Sequence, residues 1–350
     1  MAFPKASGYN NLPNGNFSPT IFSKKAQMAF RKSAVAEDIT NSSYFGEISN
    51  YGDSVRIIKE PEISVSSYVR GQQVTPQELD DEDYTLVIDQ ANKFAFAIDD
   101  IEKAHSHVDF MSMASDRAAY RLKDAYDEDI LGYMSGYTKA SGSWAARTTY
   151  PGTLADDTAD SDELLAARKL YADDFTSGAG STEAIVVGVS GTYDATPLQI
   201  LNRFNRKLDE ASVPTDGRWV VMDPVFIEKL LDEDSKLVNM DYNKGEGEGL
   251  QNGRIMAGKL RGFRIYSSNN LPYLGTGAGT IASTSSRSTS AFGIILAGHD
   301  SAVATASQIN KTEKIRSENT FADVVRGLHL FGRKILRPES LLRAAYNVNK

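Results

Sequence analysis

The stretch that decides the architecture is Asp53-Ser-Val-Arg-Ile-Ile-Lys59, then Ile63-Ser-Val-Ser-Ser-Tyr-Val-Arg70, then Thr85-Leu-Val-Ile88 and Lys93-Phe-Ala-Phe-Ala-Ile98. Its apolar and β-branched residues, largely in alternation, read as β-strand. Between Val69 and Tyr84 come Gly71, Pro76 and an acidic run, Asp80-Asp81-Glu82-Asp83, which together predict a turn region joining two long arms. The segment therefore reads as a projecting β-hairpin whose tip holds few bulky apolar residues. A hairpin this long is not stable alone in water and needs something to lie on. The acidic run lacks the ligand spacing and central glycine of a calcium loop, so it reads as a solvated or partner-facing acidic tip.

Upstream of the hairpin the chain shows no core of its own. Residues 1–20 are rich in Asn, Gly, Pro and Ser and carry no periodic apolar face, which predicts an extended arm. A short helix is expected over about 23–36. Downstream, Asp99 or Asp100 opens the clearest helix, and Ile101, Ala104, Val108, Met111, Ala118, Leu122, Ala125 and Ile130 recur near helical spacing. It is expected to run to about Met134, roughly 50 Å at 1.5 Å per residue, longer than a compact domain requires.

The remainder alternates helix and strand. Asp160-Ser-Asp-Glu163 predicts a helix through Leu170, and Ala184-Ile-Val-Val-Gly-Val189 a short strand. Thr196-Pro-Leu-Gln199 is a capping box with proline at the first helical position, and Leu201, Phe204 and Leu208 form the buried face behind it. Arg218-Trp-Val-Val-Met222 reads as a strand running into Asp223-Pro224, another cap-plus-proline helix start. Residues 241–252 read as a flexible loop, 254–266 as a hairpin, and the Gly/Ser/Thr-rich 275–290 as too poor in bulk to pack. Strands are expected again at 292–296, 302–306 and 324–335, with Pro338 closing the last.

The chain has 350 residues, no cysteine, four histidines and a net charge of −8. Without cysteine there is no disulfide scaffold, thiolate metal site or cysteine nucleophile. No apolar run approaches the ~20 residues of a membrane helix, and the first residues lack a secretory core, so no membrane role is expected. His105 and His107 diverge on a helix and cannot share a metal, while His299-Asp300-Ser301 reads as a polar turn and not as a triad. Lys244-Gly-Glu-Gly-Glu-Gly249 fails as a phosphate loop, because its lysine precedes the glycines and two carboxylates interrupt them. No catalytic, cofactor-binding or metal-binding set emerges.

The charges fall in opposed blocks. Residues 1–33 carry a net +5, including Lys24, Lys25, Arg31 and Lys32. Residues 60–102 carry −9, with only Arg70 and Lys93 opposing eleven acids, and residues 301–350 return to +5. Complementary patches meeting between copies of the chain would set register and association rate. The candidate interface residues are Arg70, Asp80, Asp81, Glu82 and Asp83 on one side and Arg326, Arg333, Lys334 and Arg337 on the other. Lys24, Lys25, Arg31 and Lys32 are candidate contacts of the arm.

An arm without a core, a hairpin without a bed, a long helix and a compact α/β region suggest a chain built to fold against neighbours. In their order, Ser18-Pro-Thr-Ile-Phe-Ser-Lys-Lys25, Phe45-Gly-Glu-Ile48 with Gly52-Asp-Ser-Val-Arg-Ile57, Asp99-Asp-Ile-Glu102, Val213-Pro214 with Gly217 to Pro224, Gly258 to Pro272 and Val324 to Glu339 resemble the major capsid proteins of tailed double-stranded DNA bacteriophages, the HK97-type fold. The resemblance implies an α+β fold: an N-terminal arm (1–50), an E-loop hairpin (51–98), a peripheral domain with a spine helix (99–190), an axial domain over most of 191–310, and a return to peripheral strands (311–350). It implies a non-enzymatic shell subunit forming hexamers and pentamers, located in the virion and, during assembly, in the host cytoplasm. The implied partners are other copies of the chain, a separate scaffolding protein, a portal protein, packaged double-stranded DNA held without sequence preference, and in some shells a decoration protein. An encapsulin-type nanocompartment shares the fold, and a soluble α/β enzyme in the 160–340 region is the reading from another class.

Overall fold

The structure is a computed structural model, and it describes residues 34–43, 54–58, 63–73, 76–77, 83–101, 110–140, 143–146, 168–177, 184–188, 193–231, 250–251, 254–255, 259–277, 280–283, 292–317 and 320–348. The first elements are α1 (Ala36–Ile39), β1 (Ser54–Ile58), β2 (Asp83–Val87), β3 (Gln90–Asp99) and the long α2 (Phe110–Ser135). Next come β4 (Tyr137–Ala140), β5 (Ser143–Ala146), β6 (Lys169–Leu170), β7 (Ile185–Val187), α3 (Pro197–Glu210), β8 (Arg218–Met222) and α4 (Pro224–Leu230). The rest is β: β9 (Leu250–Gln251), β10 (Arg254–Ile255), β11 (Lys259–Leu260), β12 (Phe263–Ser267), β13 (Tyr273–Gly277), β14 (Thr280–Ser283), β15 (Phe292–His299), β16 (Val303–Arg316), β17 (Ala322–Ile335) and β18 (Leu341–Val348).

A nine-stranded mixed sheet forms the centre, in the order β11-β12-β8-β15-β13-β14, with β18 beside β15 and pairing in parallel with β6 and β7. All five residues of β8 are buried, because a strand covered on both faces reads as a continuous apolar run. Trp219 and Val221 join Ile294, Leu296 and Leu341 on one face, where Ile130, Leu131 and Met134 of α2 cover them. Val220 and Met222 join Ile295, Ala297 and Leu342 on the other, beneath Leu201, Phe204 and Leu208 of α3 and Phe226 and Leu230 of α4. Both capping predictions hold. Thr196 Oγ1 accepts the Gln199 N–H at 3.3 Å and Gln199 Oε1 accepts the Thr196 N–H at 2.8 Å, while Asp223 Oδ1 accepts the Phe226 N–H at 3.2 Å.

A second sheet, β16-β17-β3, is antiparallel and built on two fourteen-residue strands. The ladder β1–β2 stands next to it, and Leu86 and Ile88 pack against Ala304, Ala306 and Leu336 at its base.

The structure corrects several expectations. Residues 63–70 belong to no strand, and β3 leaves the hairpin to pair with β17, so the second arm divides at Ile88–Asp89. Helical backbone does begin at Asp100, and Asp99 Oδ1 accepts the Ile101 N–H at 2.9 Å, as a cap should. The continuous described helix spans 26 residues, about 39 Å at 1.5 Å per residue. The short helix expected over 23–36 is described only as Ala36–Ile39, and its earlier part lies outside the described residues. Leu170, expected in a helix, is a strand residue paired with Ala344, and 160–167 lie outside the described residues. Leu250–Gln251, expected in a flexible loop that otherwise lies outside the described residues, pairs with Arg254–Ile255, which leaves the hairpin predicted at 254–266 shorter, as β11–β12. Tyr273–Gly277 and Thr280–Ser283 form a ladder where no packing was expected, because backbone pairing needs no bulky side chains.

The chain also does not end its sheets at Pro338. Residues 341–348, expected among the peripheral strands, form β18 in the nine-stranded sheet. Leu341-Leu-Arg-Ala-Ala-Tyr346 hides from a period-two reading because it is buried on both faces. Its one charge is satisfied inside: Arg343 Nη1 donates to the Ser135 carbonyl at 2.7 Å and Nη2 to the Tyr171 hydroxyl at 3.0 Å.

Candidate functional site

At the base of the hairpin the described ladder is antiparallel. Ser54 pairs with Val87 and Ile58 with Asp83. Farther out, Gln77 Oε1 accepts the Ser64 N–H at 3.0 Å and Gln72 Oε1 accepts the Val69 N–H at 3.4 Å. The Gln72 N–H donates to the Val69 carbonyl at 2.9 Å, closing a turn with Gly71 at φ +90°. A type II turn requires positive φ at its third position, which glycine adopts without strain. The tip is therefore Arg70-Gly71, not the acidic run. Asp83 sits in the basal ladder, and Asp80, Asp81 and Glu82 lie outside the described residues.

Glutamine side chains thus stand where a strand ladder would supply backbone partners. The first arm leaves apolar side chains uncovered: Val65 is 95% exposed and Ile63 67%, with Ile58, Tyr68 and Val69 exposed as well. Solitary exposed apolar residues are ordinary, but a run of them on one projecting arm marks a surface meant for a partner.

The three-stranded sheet has two unlike faces. Inward, Phe94 and Phe96 stack 6.1 Å apart, and the Phe94 ring lies on Gly327, where an added Cβ would come within 2.2 Å of it. This face meets α2 loosely, leaving a cleft of about 600 Å³ lined by Phe94, Leu122, Tyr126, Ser307 and His329 among others. Outward, Ala91, Lys93, Ala95 and Ala97 of β3 are exposed, beside Arg326 and Leu328 of β17.

A buried polar clamp holds the N-terminal described segment to this frame. Asp127 Oδ1 accepts the Val35 and Ala36 N–H groups at 2.7 and 2.8 Å, capping α1 from across the fold. Asn270 Nδ2 donates to Asp127 Oδ2 at 2.8 Å and to Asp124 Oδ1 at 3.0 Å. Burial pushes the Asp127 carboxyl up from its ordinary value, against the opposing hydrogen bonds from Ala36, Asn270 and Val35. Asn41 then bridges to Ala304 at the start of β16. An acid in line with Ile130 and Met134 on the apolar stripe of α2 was the one sequence signal for this clamp.

The basic candidates divide. Arg333 and Lys334 are 3% and 4% exposed, so they lie inside the subunit and not on the proposed patch. Arg333 Nη1 sits 2.6 Å from Asp129 Oδ2, and its guanidinium lies over the Tyr133 and Phe331 rings at 5.0 and 5.9 Å. Arg326 and Arg337 are exposed, but Arg326 already pairs with Glu313 at 2.9 Å. Lys314 and Arg316 pair with Asp323, and Arg316 also makes a two-bonded pair with Asp100 that raises its pKa further. Four of the nine bases over 301–350, Lys314, Arg316, Arg326 and Arg333, are therefore paired with acids of the same chain, and two of these pairs, Arg316–Asp100 and Arg333–Asp129, draw on acids outside the segment. Arg70 is exposed at the hairpin tip, and Lys24, Lys25, Arg31 and Lys32 lie outside the described residues.

The described residues hold no group of three or more His, Asp or Glu side chains able to share a metal, and no helix long and apolar enough to cross a membrane. His299 is the last residue of β15, before a turn at Asp300-Ser301, and bonds Ser301 Oγ and the Asp216 carbonyl at 2.8 Å each; His105 and His107 lie outside the described residues. His329 contacts Ser307 Oγ at 3.0 Å and stacks on Phe331, and burial lowers its pKa.

No family model matches the chain, and no curated protein matches it in sequence. Solved structures do. Mycobacterium phage Che8 shares 25% identity at a TM-score of 0.66, covering 95% of this chain and 97% of that one. The capsid structure of cyanophage P-SCSP1u shares 19% identity at a TM-score of 0.62, covering 96% and 94%. The capsid of Ralstonia phage GP4 shares 12% identity at a TM-score of 0.62, covering 100% and 99%. The chain has the HK97-like fold of phage capsid subunits along nearly its whole length, and none of these likenesses supports an enzyme.

Proposed function

We propose that this chain is the major structural subunit of an icosahedral phage head, that it performs no catalysis, and that it resides in the virion. The observation that carries the reading is the pairing of a capsid-subunit fold with a hairpin whose first arm leaves Ile58, Ile63, Val65, Tyr68 and Val69 exposed. Hexamers and pentamers would form around axes lined by much of 191–310. The 51–98 segment would reach the peripheral strands of a neighbour, and the 1–50 arm, with Lys24, Lys25, Arg31 and Lys32, would run along another. Many shallow contacts then sum through multivalency to a stable shell.

A net charge of −8 suits a wall that encloses double-stranded DNA without gripping it. A separate scaffolding protein would set curvature, a portal protein one vertex, and a decoration protein would be an outer addition. Attraction between the 60–102 acids and the C-terminal bases is weaker than the linear count suggests, since those bases are largely paired or buried. The test is electron microscopy of the expressed protein, alone and with its scaffolding protein. Uniform shells or capsomers support the reading. A persistent monomer whose melting responds to small ligands overturns it.

A further inference from the structure

We infer that residues 63–69 of one subunit add as a fourth strand to the free edge of β3 in a second copy. The inference rests on the shell reading above and gives it a specific contact. Three observations carry it. First, among the described residues the order β16-β17-β3 ends at β3, a ten-residue strand paired on one side only. Second, that edge is thinly defended, by one lysine. Proteins usually guard an open edge with charges, prolines or bulges. The far end of β16 carries Glu313, Lys314 and Arg316, but the exposed side chains of β3 over 91–97 are three alanines and Lys93. Third, residues 63–69 belong to no ladder, and side-chain oxygens of Gln77 and Gln72 occupy the Ser64 and Val69 N–H groups.

The side-chain patterns match. In a strand, Ile63, Val65 and Val69 would share one face, and Ser64, Ser66 and Tyr68 the other. Beside β3 the first set would extend the apolar inner face of Phe94, Phe96 and Ile98. The serines would lie beside Ala91, Ala95 and Ala97. Main-chain bonds supply the affinity in strand addition, and alternate side chains supply the choice of partner. This contact needs no net charge attraction.

Hydrogen exchange on free subunits and on assembled shells tests the inference. Strand addition predicts that every second amide over Val65–Tyr68 slows by on the order of 100-fold on assembly, together with every second amide of β3. Because the chain has no cysteine, engineered pairs give a second readout free of background. Ser64→Cys or Ser66→Cys should form intersubunit disulfides with Ala91→Cys, Ala95→Cys or Ala97→Cys, and not with Leu328→Cys on the middle strand. Shells that form with 63–69 unprotected, or that crosslink through Cys at 328 alone, overturn the strand addition and leave the shell reading standing. A wild-type chain that never assembles overturns the shell reading itself.

Discussion

The two sheets of this molecule are built on opposite principles. The nine-stranded sheet is covered on both faces, by the end of α2 on one side and by α3 and α4 on the other. The three-stranded sheet is covered on one face only, and loosely, across a cleft of about 600 Å³. The hairpin beside it displays Val65 and Ile63 to solvent. The first sheet satisfies itself and makes the subunit fold. Among the described residues the second leaves apolar area and an open edge over, the surfaces that the proposed strand addition would use. On the proposed reading, a subunit with no disulfides would thereby assign stability and assembly to different places.

Substitutions should separate the two assignments. The largest effect is expected for Phe204→Ala, a fully buried residue beneath the nine-stranded sheet. It should cost about 3–5 kcal/mol, read as a lower denaturant midpoint of the isolated subunit. Equal stability in this variant would break the comparison outright. Asp127→Ala should cost about 2–3 kcal/mol, because it strands the Val35 and Ala36 N–H groups without their acceptor and leaves the Asn270 amide with Asp124 alone. Limited proteolysis should then cut first near residues 34–43.

A smaller effect, confined to acid, is expected at the cleft. His329 has its pKa lowered from an ordinary 6.5 by burial, with Glu37 opposing. Asn92 and Leu328 flank it in the sheet, Ser307 and Thr312 face the cleft from β16, and Tyr126 and the Glu37–Lys123 pair line the helix side. As pH falls through about 6.5 the unfolded chain takes the proton first, so stability drops. His329→Gln should flatten that part of the stability curve between about pH 7 and pH 5, and an unchanged slope would remove His329 from the account. The smallest effect on the subunit is expected for Val65→Ser, below about 0.5 kcal/mol in unfolding, because the side chain touches little in its own chain. Its consequence should appear as slower or less complete shell assembly.

The self-contained sheet was largely legible in the sequence. Thr196-Pro-Leu-Gln199 and Asp223-Pro224 announce their helices through local hydrogen bonds, and Arg218–Met222 announces a buried strand through its apolar run. The basal strands of the hairpin, Ser54–Ile58 and Asp83–Val87, were legible for the same reason, since each depends on residues close together in the chain. What tertiary structure decided was pairing. It placed β18 in the central sheet, moved β3 out of the hairpin, put the tip at Arg70-Gly71 and buried Arg333 and Lys334, the first of them against the distant Asp129. A charge read along a sequence shows its sign but not its partner. Asp129 cancels Arg333 across some two hundred residues, and only the folded chain brings the two within 2.6 Å.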